Sequence, residues 1–216
     1  MKNIVFDMDG VILDTENCYM VSWSKVAKKH NVKNFEEVIL KCMGTNAQKT
    51  KEIVLDAYGK DFDYDSFFQE ASNYFNELYG KNIPVKKGVY ELLDYLKKNN
   101  YKIALASSTE KSIVIEELTN AKVVDYFDVL VTGDMVSKSK PEPDIYLLAC
   151  SLLNESPENC YAIEDSYNGI RSAYNANMKA IMVPDLVKPD EEMKEKSYVI
   201  CSDLIKVKEF LEKTEL

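Results

Sequence analysis

Apolar residues fall along this chain in two rhythms. Residues 3–6 form a short unbroken run, Asn3-Ile4-Val5-Phe6, that stops at Asp7-Met8-Asp9-Gly10. A run so short, closed by acidic residues and a glycine, predicts a strand buried on both faces with a turn at its carboxyl end. From residue 15 to about residue 79 the spacing is helical: Tyr19, Trp23, Val26 and Ala27, then Val38, Ile39 and Met43, then Ile53, Val54 and Ala57, then Phe67, Phe68, Ala71, Phe75 and Leu78. Aromatic residues at that period predict the core of a small helical bundle.

After Pro84 the rhythm alternates. Helices are expected over 89–97, 111–118, 143–153 and 169–176, interleaved with strands over 102–106, 129–131, 161–163 and 180–183. A helix at 190–196, an edge strand at 198–201 and a closing helix at 204–211 complete the chain. Such alternation predicts a parallel sheet covered on both faces. The expected fold is α/β, a doubly wound Rossmann-like parallel sheet core made of residues 1–14 and 83–216, with an α-helical cap domain over residues 15–82 inserted after the first strand.

Charge narrows the function. With 27 Lys and Arg against 36 Asp and Glu among 216 residues, the net charge of −9 repels nucleic-acid backbones and acidic membranes, so neither is an expected partner. Apolar runs are broken well before the ~20 residues of a membrane-spanning helix, and no signal-peptide pattern follows Met1, so a cytoplasmic protein is expected. Five scattered cysteines without a CxxC pair predict reduced thiols and no zinc or redox centre. His30, the only histidine, lies in a lysine-rich stretch and reads as a surface residue and not as a triad member. Arg171 is the only arginine, so phosphate recognition elsewhere must use lysine, hydroxyls, backbone amides or a metal ion.

Four polar groups coincide with expected strand ends: Asp7 and Asp9, Ser107-Ser108-Thr109, Lys140 before Pro141, and Glu164-Asp165-Ser166. In a parallel sheet these ends share one edge, so the groups converge. Clustered carboxylates repel one another unless a cation sits among them, and oxygen ligands suit Mg²⁺. Lys140 and the Ser107 hydroxyl then hold phosphoryl oxygens, which makes a phosphoryl-transfer site. One aspartate attacks phosphorus while the other manages the proton. Each group also has a plainer use: turn capping for the aspartates, helix capping for Ser107 to Thr109, a solvated charge run for Lys140, a helix-dipole contact for Glu164-Asp165 and close packing for Gly169. Their convergence favours chemistry.

The segments Asp7-Met8-Asp9-Gly10-Val11-Ile12-Leu13-Asp14-Thr15-Glu16, Ala106-Ser107-Ser108, Ser139-Lys140-Pro141-Glu142-Pro143-Asp144 and Glu164-Asp165-Ser166-Tyr167-Asn168-Gly169-Ile170 resemble the four motifs of the haloacid dehalogenase superfamily. More narrowly, they resemble its β-phosphoglucomutase-like phosphatases, with the helical insert where that subgroup carries its cap. The resemblance implies Asp7 as nucleophile, Asp9 as general acid/base, Ser107 and Lys140 on the transferring phosphoryl group, and Mg²⁺ held by Asp7, Asp9 (through its backbone carbonyl) and Asp165, with Glu164 either a further ligand or a partner behind the ligands. Ser108, Thr15 and the cap's Gly44 are expected to meet the substrate, with hinges near Thr15 and Pro84. The mutases of the subgroup carry a cap histidine ahead of a tryptophan and a Lys-Gly pair followed by an arginine that grips a distal phosphate. Here Tyr19 precedes Trp23, and Met43-Gly44-Thr45-Asn46-Ala47-Gln48 offers neither lysine nor arginine. The expected function is a Mg²⁺-dependent phosphatase acting on a small phosphorylated metabolite, such as a sugar phosphate, through an aspartyl phosphate, in a monomer or weak oligomer. β-Phosphoglucomutase or a related mutase is the alternative. A phosphoacceptor signalling domain would need no cap, and dehalogenation would need neither Asp9 nor Mg²⁺.

Overall fold

The computed structural model describes residues 2–214. β1 (Asn3–Phe6) leads into four helices, α1 (Thr15–Lys29), α2 (Phe35–Cys42), α3 (Ala47–Tyr58) and α4 (Tyr64–Leu78). The alternating part follows as α5 (Val89–Lys98), β2 (Lys102–Ala106), α6 (Lys111–Asn120), β3 (Val129–Val131), α7 (Asp144–Leu152), β4 (Tyr161–Glu164) and α8 (Tyr167–Asn175). It closes with β5 (Lys179–Met182), α9 (Glu191–Lys196), β6 (Val199–Ile200) and α10 (Leu204–Thr214).

All six strands pair in parallel in the order β3-β2-β1-β4-β5-β6. The chain winds outward from β1 through β2 and β3, then returns to the other side of β1 with β4. That reversal opens a crevice beyond the carboxyl ends of β1 and β4, where ligands of such sheets bind.

Side-chain alternation sorts the two faces. Ile4, Phe6, Ile103, Leu105, Ile163 and Ile181 lie in one buried cluster with Leu92 of α5, Val114 and Leu118 of α6, and Val207 of α10. Val5, Ala104, Ala106, Ala162 and Ala180 face the other way, against Tyr146 and Ala149 of α7 and Ala173 of α8. Strand alanines let α7 and α8 lie close, which is what brings the bulky Tyr146 up to the sheet.

Helices α1 to α4 enclose a third cluster that includes Trp23, Phe35, Ile39, Val54, Phe67 and Ala71. The two chain segments joining them to the sheet lie side by side. Asp14 N–H donates to Pro84 C=O at 2.8 Å, Lys86 N–H donates to Ile12 C=O at 2.9 Å, and Leu13 bridges Val85 in antiparallel fashion. Lys86 Nζ reaches both Asp14 (2.9 Å) and Asp185 (2.7 Å), tying both segments to the loop after β5.

Several local readings change. α8 begins at Tyr167, two residues before the predicted start, because the Ser166 side chain caps it by accepting from Gly169 N–H at 3.0 Å. Ser107 to Thr109 do not cap α6; its N-cap is Glu110, which makes no side-chain bond, and Asp134 Oδ1 accepts from Lys111 N–H at 3.1 Å instead. The edge strand shrinks to Val199–Ile200. All five cysteines are free and buried, and His30 pairs with Glu70 at 2.7 Å on the surface. No helix among the described residues is long and apolar enough to cross a membrane.

Candidate active site

β1, β4 and the loop before α7 deliver the floor of the site. Asp7 follows β1 directly, with its N–H bonded to Ile163 C=O at 3.0 Å, and Glu164 and Asp165 stand at the end of β4. Lys140, which a surface charge run would leave in water, is only 2 % exposed, with Nζ 2.9 Å from Asp7 Oδ1 and 2.6 Å from Glu164 Oε1. Burial opposes its charge, but the carboxylates of Asp7 and Glu164 outweigh that cost and raise its pKa, so the ammonium persists.

Glu164 is fully engaged. Its Oε1 accepts from Lys140 and from the Tyr146 hydroxyl (2.8 Å), while Oε2 accepts from the backbone N–H groups of Asp165 (3.1 Å) and Ser166 (3.2 Å) and from Ser166 Oγ (3.1 Å). Gly169 is required by this carboxyl, since a Cβ there would stand 1.8 Å from Glu164 Cδ. Gly10 is required twice: its φ is +77°, and a Cβ would stand 2.2 Å from Asp165 Oδ2.

Asp7, Glu164 and Asp165 bring carboxylate oxygens within 4.8 Å of one another. Burial first, then the charge of Glu164, pushes Asp7 up to about 8 despite Lys140. Burial and the charges of Glu164, Glu16, Asp7 and Asp185 hold Asp165 well above the carboxylate range, and its Oδ1 is buried without a hydrogen-bond partner. Ionising all three carboxylates against one ammonium would leave two negative charges in a buried site, which is why Asp7 and Asp165 hold their protons so strongly. A hard divalent cation with oxygen ligands fits both the charge and the unpartnered oxygen.

The Asp9 side chain faces elsewhere, so the expected quartet of acids is a trio plus one. Its Oδ1 accepts from Thr15 Oγ1 at 2.7 Å, and its Oδ2 accepts from Thr109 Oγ1 at 3.0 Å and Ser107 Oγ at 3.4 Å. Ser107 Oγ also accepts from Thr109 N–H at 3.1 Å, so this serine braces the loop after β2 beneath the cavity wall. Ser108 does line the cavity, and its Oγ is buried without a partner. Thr15, at the start of α1, binds Asp9.

Above this floor lies a cavity of about 630 Å³, walled by Asp7, Asp9, Ser108 and Thr109 below and by cap residues above. Gly44 lines it at φ +71°, and a Cβ there would stand 2.5 Å from Ser166 Oγ. The Gly44 loop therefore rests on the core just beyond β4, where Asn168 Nδ2 also donates to Met43 C=O at 3.4 Å. Glu16 projects from α1 into the cavity, and burial, then Asp9 and Asp7, raise its pKa well above the usual range against the backbone N–H of Gly44.

Thr109, Tyr146, Glu16 and Asp185 complete the surroundings. Thr109 carried a signal at a strand end, and Glu16 closes the first motif. Tyr146 and Asp185 carried none, because only the packing of α7 and the loop after β5 brings them near.

Comparison with known proteins agrees with this geometry. The family model of the haloacid dehalogenase-like hydrolases matches residues 4–183. A phosphorylated carbohydrates phosphatase of Thermotoga maritima is 34% identical over 185 residues, 84% of each chain, and a β-phosphoglucomutase of Bacillus subtilis is 31% identical over 190 residues, 85% of this chain and 83% of that one. The crystal structure of a β-phosphoglucomutase from Clostridium difficile aligns with a TM-score of 0.80 at 26% identity, covering 99% of this chain and 96% of that one. Sheet order, the acidic floor where the winding reverses and a sequence match running from β1 through β5 together place the chain in the haloacid dehalogenase-like hydrolase family.

Proposed function

We propose that the protein is a Mg²⁺-dependent phosphatase that hydrolyses a small phosphomonoester through an aspartyl phosphate on Asp7. The observation that carries this reading is the buried Lys140–Asp7 ion pair at 2.9 Å, set beside the unpartnered Asp165 oxygen, with Asp7 itself lining the cavity. A carboxylate so placed is aimed at phosphorus with a cation already beside it.

In the first step an Asp7 oxygen attacks phosphorus, the bond from phosphorus to the leaving alcohol breaks, and Asp9 gives its proton to the departing oxygen. In the second, Asp9 takes a proton from water, the water oxygen attacks phosphorus, and the acyl phosphate breaks to return Asp7 and release phosphate. Thr15 and Thr109 hold the Asp9 carboxylate in place for both transfers. Lys140 and Ser107 meet phosphoryl oxygens, and the unpartnered hydroxyl of Ser108 beside them adds a further donor. Asp7 and Asp165, with the main-chain carbonyl of Asp9, would hold Mg²⁺, which supplies positive charge against the phosphoryl oxygens when bound, while Glu164, its oxygens taken by Lys140, Tyr146 and Ser166, stands behind them. The cap, resting on Ser166 through Gly44, keeps bulk water from the intermediate.

Mutase action needs a second anion site for a bisphosphate, and among the described residues no lysine or arginine lines the cavity, which favours hydrolysis. A panel of phosphomonoesters assayed with Mg²⁺, with acid-quenched protein examined for a labelled aspartate, tests the reading. Phosphate release with label on Asp7 is expected, and Asp7→Asn should lower kcat on the order of 10⁴-fold or more. Rapid conversion of β-glucose 1-phosphate and glucose 1,6-bisphosphate to glucose 6-phosphate would establish the mutase instead, and a stable phosphoprotein without turnover would establish a signalling module.

A further inference from the structure

Resting on the phosphatase reading, we infer that the substrate is a nucleoside-type monophosphate, a sugar that carries one phosphate and, in place of any second anion, an uncharged heteroaromatic ring. Two features of the cavity wall carry this. The first is charge. Above Asp7 and Asp9 the wall presents Glu16, Glu110 and Asp134 and, among the described residues, no lysine or arginine. Cap cations near it in sequence are engaged elsewhere: Lys49 pairs with Glu52 at 2.9 Å and Lys51 with Asp65 at 2.7 Å. Arg171 is bound to Glu192 at 2.8 Å. Lys140 is sunk in the floor against Asp7 and Glu164, so it serves the phosphoryl end alone. A second phosphate or a carboxylate on the leaving group would face the carboxylates of Glu110 and Asp134 with no lysine or arginine on the wall itself to offset them.

The second feature is the surface opposite. Tyr19, Trp23 and Phe68, with Ile39, Met43 and Ile113, form an apolar wall. Its rings are held by neighbours: Tyr19 stacks on Phe75 at 4.8 Å, and Phe68 meets Trp23 edge-on at 5.6 Å. A bare polyol would set hydroxyls against these faces, whereas a flat ring covers them without reorganising the wall. The Gln48 amide is available to ring heteroatoms, and Thr50, whose hydroxyl bonds Thr45 Oγ1 at 3.0 Å while Thr45 donates to Cys42 C=O at 2.6 Å, keeps a lone pair that can accept from a ring N–H. The volume of about 630 Å³ falls within the ~300–1,000 Å³ of small-molecule clefts, with space for a ring beyond sugar and phosphate.

The test measures kcat/KM with Mg²⁺ for uridine 5′-monophosphate, ribose 5-phosphate and ribose 1,5-bisphosphate, with p-nitrophenyl phosphate and acetyl phosphate as reporters of phosphatase chemistry. Uridine 5′-monophosphate should exceed ribose 5-phosphate by about tenfold or more, the span expected of ring stacking, and the bisphosphate should be slowest. Ribose 5-phosphate or the bisphosphate matching the nucleotide, while the reporters are turned over, would overturn the inference and leave the phosphatase standing. Turnover of none of the esters would remove both. Phe68→Leu should lower the nucleotide-to-ribose ratio. Should that cap fail to fold, Gln48→Arg, on the exposed side of α3, should raise kcat/KM for the bisphosphate roughly tenfold by placing a cation in the wall. No gain there would count against the charge argument.

Discussion

The floor of the site and the wall of the cap are built on opposite plans. On the floor, Lys140, Asp7, Glu164 and Tyr146 are buried and cross-bonded, and even the neighbouring glycines have no freedom to change. The wall is held by ring contacts and by short-range bonds around single loops, such as Thr45 to Cys42 and Thr50. Chemistry that must be done identically each cycle is fixed by strand ends of a sheet. On the proposed reading, choice of leaving group falls to helices that join the sheet through two adjacent segments.

The strongest way to break this contrast is Lys140→Ala. Two buried carboxylates would lose their cation, so chelator-treated protein should lose about 3–5 kcal/mol in denaturant unfolding, with Mg²⁺ recovering part of it. A loss below ~1 kcal/mol would mean that the floor is not the rigid partner. A smaller and different effect is expected from Gly44→Ala, which forces a Cβ toward Ser166 at a positive φ and so displaces the cap loop and not the core. Its kcat/KM should fall about 10- to 100-fold through misplacement of the closed cap while the unfolding midpoint of the sheet changes little. Equal damage to both would erase the distinction.

The smallest effect concerns Glu117, in the helix after β2. Burial first, then the charges of Asp9 and Glu116, raise it to about 8, and its Oε2 is buried without a partner. The folded state therefore binds a proton that the unfolded chain releases near ~4.3, so this group lowers stability progressively as pH rises from about 4 to about 8. Glu117→Gln removes that slope. The variant should melt at the same temperature as the parent near pH 4 and progressively higher towards pH 8, by about 2–4 °C for each ~1 kcal/mol that the proton linkage is worth at this chain length. A constant offset across the range would refute the proton argument.

Much of the floor was legible in the sequence because its residues sit where apolar runs end, and a parallel sheet carries all such ends to one edge. Asp7, Glu164 and Asp165 are of that kind, whereas Lys140, in the loop between β3 and α7, stood out from a surface charge run only through the resemblance of Ser139-Lys140-Pro141 to a family motif. The turn at Gly10 also marks where Asp9 can bend away from Asp7, and it does so; what the sequence concealed was its partners, the hydroxyls of Thr15 and Thr109. Ser107 to Thr109 look like a helix cap in sequence, but their hydroxyls are largely committed to Asp9, and Asp134, from another loop, takes the role at α6. Tyr146 was legible only as an apolar position of α7; that its hydroxyl meets Glu164 depends on how closely α7 approaches a face of alanines.

One consequence follows from the paired segments at Ile12–Asp14 and Pro84–Lys86. Because they are hydrogen-bonded to each other, the sheet meets the four-helix insert at a single doubled stalk. An insert of another size or shape could be grafted at that stalk without shifting any strand, and the same acidic floor would then serve a different alcohol.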